Sequence, residues 1–147
     1  MKDSFFLFFA TVAAFAYTFE VFFGKLGLNY SSKISLLTYR YIVLAVILAL
    51  FSFTFHRKEM IESFNKYTIL YSSLIGICSV VGAYLLYFLM MSENFSIILP
   101  VVEPIIIIIS CILGIFYFKE PFNYKIIIGI ILSIAGIYFI VTANNKK

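Results

Sequence analysis

Charge is scarce in this 147-residue sequence: 12% of its residues are charged and 63% are hydrophobic, where a soluble domain has roughly 25% charged. A soluble domain of this length hides one or two fully apolar helices, not five in succession, so a water-soluble globule is excluded. Histidine and cysteine are almost absent. Cys78 and Cys111 read as small apolar packing residues, and two isolated thiols are too few for a metal cluster. His56, beside Arg57 and Lys58, reads as an interfacial residue. There is no nucleophile–base–acid grouping and no phosphate loop, so the sequence calls for no enzyme chemistry, cofactor or metal. No linker or low-complexity tail interrupts it.

Five long apolar stretches fill the chain, at about 4–23, 34–55, 69–91, 97–118 and 126–142. At ~1.5 Å per residue, each is long enough or nearly so to cross the hydrocarbon core. Polar residues collect in the short connections 29–33, 56–68, 92–96 and 119–125. The expected fold is an all-α membrane protein, a single five-transmembrane-helix bundle over residues 1–147. The first stretch is too long for a signal-peptide core and lacks a clear small-residue cleavage site, so it is expected to be retained. The net charge of +4 comes mainly from loops and ends. There Lys and Arg set topology and touch lipid head groups, which offers no surface for nucleic acid.

With a cytoplasmic N terminus, the inner side carries Lys2, Arg57, Lys58, Lys66, Lys119 and Lys125, and the outer side Lys25, Lys33, Lys146 and Lys147, with Arg40 juxtamembrane. The cluster at 56–66 favours this orientation, but the bias is weak enough to permit insertion both ways.

Three ionisable residues lie inside the stretches: Glu20, Arg40 and Glu103. Charges at such depth usually pair, line a cavity or mark a path across. Arg40 lies about 9 Å into the second stretch and Glu103 a similar distance into the fourth, while Glu20 falls near the end of the first. Alternating helices bring these levels together, with Tyr17, Tyr84, Tyr87 and Tyr138 as deeper hydroxyls or ring faces for a ligand. Tyr30, Tyr67 and Tyr124 suit the interfacial belt. Arg40 can hold one Glu in a bidentate pair and remain charged. The other carboxyl then holds a proton more readily than in water, the minimum equipment for proton-coupled exchange. The plainer alternative is a Glu20–Arg40 pair snorkelling at the interface.

Glu103 stands in LPVVEP, between Pro100 and Pro104, where helix 97–118 is expected to kink or unwind and free carbonyls for a cation or amine. Gly129, Ser133 and Gly136 share one face of the last stretch, a close-packing surface for a neighbouring helix or a second subunit.

The stretches AAFAYTFEVFFGKLGL and LLTYRYIVLAVILAL resemble the first two helices of an EamA-type domain of the drug/metabolite transporter superfamily, with Gly24, Lys25 and Arg40 at the family's positions. LLYFLMMSENFSIILPVVEP resembles its helix 3–4 connection, with Pro104 at the recurrent proline. ILGIFYFKEPFNYKIIIGIILSIAGIYFI resembles its end. There Lys119 and Glu120 fall on the family's glycine/acid element, and Gly129 and Gly136 on its small-residue face. The resemblance covers about residues 10–142. It implies a secondary transporter of small metabolites, amino acids, amines or drugs, often driven by a proton or an exchanged solute, in a prokaryotic plasma membrane. Full-length members have two five-helix halves, so the resemblance implies a dimer: an antiparallel homodimer or a pair with a second homologous half. In smaller multidrug relatives an essential glutamate occupies the first helix, and aligning Lys25 leaves Tyr17, not Glu20, near that position. The alternative to transport is a non-transporting membrane assembly or accessory protein.

Overall fold

The computed structural model describes the backbone of residues 2–121 and 123–144, and the side chains of 5–121 and 123–142. Lys146 and Lys147 of the topology count lie outside the described residues, as does the side chain of Lys2. Among the described residues the chain forms α1 (Lys2–Gly27), α2 (Lys33–Phe55), α3 (Arg57–Glu62), α4 (Lys66–Ser92), α5 (Phe95–Phe116) and α6 (Tyr124–Asn144). All but α3 are long and apolar enough to cross a membrane. The protein therefore has an all-α membrane fold, with each expected span on one of these five helices. The short α3 was not expected from the polar run at 56–66. His56 ends α2 by donating its amide to Ser52 O at 3.0 Å, and its own carbonyl then accepts from Met60 N, so the helical path resumes after one non-helical residue.

Side chains close the helix ends. Ser32 Oγ accepts from Ser35 N at 3.2 Å and caps α2. Asn65 Oδ1 accepts from Tyr67 N and Thr68 N at the start of α4, which meets the orphan amides of a first turn. Within the spans, hydroxyls such as Thr18 and Ser133 donate to the carbonyl four residues back, a local solution where no water is available.

The chain divides into two compact units, Met1–Ser92 and Glu93–Lys147. In the first, α4 packs on both α1 and α2. Its buried side chains Val21, Leu37, Tyr87 and Met90 all lie where α1 ends, α2 begins and α4 ends. In the second, α5 packs on α6. The less exposed positions of α6, at Ile126, Ile130, Ser133, Ile137 and Ile140, recur at alternating intervals of four and three, the seam of a helix pair. Most other apolar side chains on the spans are exposed, as lipid-facing surface must be.

The structure bears on two expectations without deciding the kink or the subunit contact. Helix α5 is not unwound at Pro100 and Pro104: it runs as one α-helix with both prolines inside. Each proline removes only the amide that would bond four residues back, so the carbonyls of Ser96 and Pro100 lose their usual donor while the helix continues. Within the unit, the three small residues of α6 are placed differently. Ser133 is half-buried on the seam, whereas an added Cβ at Gly129 or Gly136 would meet nothing within 4 Å.

Lys119, at the position the resemblance gives to a glycine, has φ 54°, a left-handed conformation that glycine adopts without the steric cost of a Cβ. Beside it Glu120 N donates to Gly114 O at 3.0 Å and closes the end of α5. Lys119→Gly is expected to stabilise the protein by about 0.5–1 kcal/mol, the left-handed penalty less the added freedom of the unfolded chain. Unfolding in mixed micelles measures it, and a loss of stability would show that the Lys119 side chain holds the turn.

Candidate functional site

The connection between α1 and α2 is tight. Leu28 N donates to Gly24 O at 3.1 Å, Ser31 N to Gly27 O at 3.1 Å, and the chain reverses into the Ser32 cap. Glu20 is seven residues before the end of α1, and Arg40 seven after the start of α2. At ~1.5 Å per residue both lie about 10 Å from the turn. The reversal therefore brings them to one level, where Arg40 Nη2 pairs with Glu20 Oε1. The Arg40 side chain is 24% exposed and that of Glu20 45%, so this is a half-sheltered pair within two spanning helices.

Helix α4 supplies the third member. Tyr87, only 4% exposed, accepts a side-chain hydrogen bond from Arg40. Its ring lies on the α1 backbone at Gly24, where an added Cβ would be 3.1 Å from Tyr87 Cε1. The missing side chain at Gly24 is thus what lets the tyrosine reach the guanidinium. Tyr41 and Ser79 share a hydrogen bond of 2.7 Å that ties α2 to α4.

A cavity of about 420 Å³ opens beside the pair. Phe23, Leu36, Val43 and Leu44 form its apolar walls; Glu20 and Arg40 supply charge, and Tyr39, Tyr87 and Gly24 complete it. Two further cations lie near this end of the unit. Lys33 Nζ sits over the rings of Tyr84 at 5.5 Å and Phe88 at 4.8 Å, within cation–π range. Lys25 Nζ donates to the carbonyl of Met90, one of the last α4 carbonyls that lack a helical partner. The arrangement can hold a small ligand with an apolar body and a polar end.

Of the residues singled out from the sequence, Glu20, Arg40 and Tyr87 meet around the cavity. Tyr84 sits one turn from Tyr87 and holds Lys33 instead; Tyr17, 37% exposed, is one turn before Glu20. Glu103 and Tyr138 belong to the second unit. There Glu103 is half-buried on α5 between the two prolines, and Tyr138 is 65% exposed on α6 beside Phe139. Tyr39, Phe23 and Lys33 were not singled out as site residues. Their signal was positional: Phe23 lies three residues after Glu20, and Tyr39 and Lys33 lie one and seven before Arg40. Among the described residues no group of three or more His, Cys, Asp or Glu side chains could hold a metal ion.

A family model described as the EamA-like transporter family matches residues 4–142. No curated protein and no solved structure matches the chain.

Proposed function

The chain belongs to the EamA-like transporter family, and on that footing we propose that it is a proton-coupled secondary transporter of a small organic solute, with the cavity at Glu20, Arg40 and Tyr87 as its binding site. The observation that carries this reading is the ion pair between two membrane-spanning helices at the edge of an apolar cavity. Ionisable groups held in membrane-spanning segments are costly, and where they line a cavity they mark a path for substrate or protons. Glu20 and Glu103 are the two carboxyls within the described spans, and both are proposed as proton-binding groups. The N terminus is placed in the cytoplasm of a prokaryotic cell, with Arg57, Lys58 and Lys66 on the inner side.

In the inverted-repeat design, two oppositely oriented five-helix units rock around a shared site. An antiparallel second copy or a homologous half supplies the other unit. The open face of α6 at Gly129 and Gly136 suits close helix approach in lipid. Replacing both glycines with Leu is expected to shift the protein toward monomer in detergent without unfolding it, as read by cross-linking and mass measurement. An unchanged oligomer would move the contact elsewhere.

The function is tested in proteoliposomes with a trapped pH dye and an imposed proton gradient. A panel of amines, amino acids and monocarboxylates is added in turn. At least one class should drive proton entry, and Glu103→Gln should alter the pH dependence of that flux. If no class moves protons or solute, the chain is an assembly or accessory protein; if the pH profile is untouched in Glu103→Gln, that residue is not a coupling group.

A further inference from the structure

We propose that the cavity takes a small monocarboxylate with an apolar body, whose anionic group replaces Glu20 on Arg40 while Glu20 takes up a proton. This rests on the reading of the cavity as the solute site, and it names the class of solute.

Charge balance in a poorly solvated setting favours this class of solute. In the observed ion pair Glu20 and Arg40 cancel. With a carboxylate on Arg40 and a proton on Glu20 they cancel again, so neither state leaves a bare charge among apolar walls. A cationic ligand breaks this balance, because Glu20 would then face both Arg40 and the incoming ammonium. The excess would be positive in a unit end that already holds Lys25 and Lys33. Arg40 cannot relieve it by losing a proton.

Geometry supports the same class. The guanidinium fork matches a carboxylate with two parallel hydrogen bonds. The Tyr87 hydroxyl accepts from Arg40 and so retains its own hydrogen to donate to the ligand. Phe23, Val43 and Leu44 offer the remaining cavity to an apolar group. Lys33 lies two turns before Arg40 on α2 and raises the local concentration of anions.

Glu20 faces Arg40 of α2, its ion-pair partner, and shares the cavity with Tyr39 of α2 and Tyr87 of α4; Lys25 is held at Met90 O and Lys33 over Tyr84 and Phe88, and Tyr41 is bonded to Ser79. With one proton taken up per carboxylate, binding should strengthen as pH falls. Proton and anion then cross together as a neutral load.

The test is equilibrium binding of labelled phenylacetate to the purified chain in lipid nanodiscs, with phenethylamine and phenylalanine as competitors of similar shape. Wild type should bind phenylacetate about a hundredfold more tightly near pH 6 than near pH 8, tenfold per pH unit for one proton taken up. Glu20→Gln should bind at pH 8 at least as tightly as wild type does at pH 6, and Arg40→Gln should lose binding at both. If Glu20→Gln does not survive extraction, the wild-type pH dependence and the Arg40→Gln loss decide the matter. Preference for phenethylamine, or phenylalanine binding that strengthens with pH and is lost in Glu20→Gln, would overturn the proposal. So would phenylacetate binding that ignores Arg40→Gln. Phenylacetate binding without any solute-driven flux would sink the transport reading and leave the carboxylate site standing. Flux of amines without phenylacetate binding would do the reverse.

Discussion

At neutral pH, Glu20→Gln will destabilise the protein more than Arg40→Gln. The two side chains form one ion pair, but the groups left behind differ. Without Arg40, the group left behind is the more exposed of the two, Glu20 at 45%. Without Glu20, Arg40 keeps its charge at any accessible pH and has only Tyr87, water at the cavity mouth or a passing anion to answer it. Breaking a fully buried pair costs about 3–5 kcal/mol. This one is partly exposed, so about 2 kcal/mol is expected for Glu20→Gln and about 1 kcal/mol or less for Arg40→Gln. The double variant removes both charges and should return to within about 1 kcal/mol of wild type. Unfolding in mixed micelles ranks all four proteins. A larger loss for Arg40→Gln would mean that the arginine is held by contacts beyond Glu20 and Tyr87.

Tyr87 should prove the most sensitive side chain of the first unit. It is buried, its ring covers Gly24 and its hydroxyl meets Arg40. Tyr87→Ala removes the ring from the point where α1, α2 and α4 meet, and a loss of about 3–5 kcal/mol follows if the space does not refill. Lipid chains entering the gap would reduce that figure. Tyr87→Phe keeps the ring and deletes only the hydrogen bond to the guanidinium, for about 1–2 kcal/mol. The same unfolding series separates the two contributions. Equal losses for Phe and Ala would assign the whole effect to the hydroxyl and none to packing.

Much of this site could be read from spacing. Glu20 and Arg40 stand equally far from a short reversal, so helical rise alone sets them at one depth, and Tyr87 follows from α4 returning to the same end. What escaped were features that depend on side-chain direction and local backbone. That Gly24 admits the Tyr87 ring, or that Lys33 reaches back over Tyr84 and Phe88, follows from the rotation of each helix about its axis, which spacing along the chain does not reveal. The run at 56–66 looked like a loop because it is polar, yet six of its residues make a turn-and-a-half of helix. The prolines of α5 suggested a break because each deletes an amide, but a single missing bond per turn leaves the rest of the ladder intact. The small residues of α6 were grouped by their spacing, but the packing seam runs through Ser133 and leaves Gly129 and Gly136 open.

The central claim is that the Glu20–Arg40 pair serves transport rather than folding, and the double variant Glu20→Gln/Arg40→Gln tests it most directly. Reconstituted beside wild type at matched protein density, it should be folded and stable yet show no solute-driven proton entry with the solute class that wild type moves. Proton-coupled flux at the wild-type rate in the double variant would contradict the account and return the pair to a structural role.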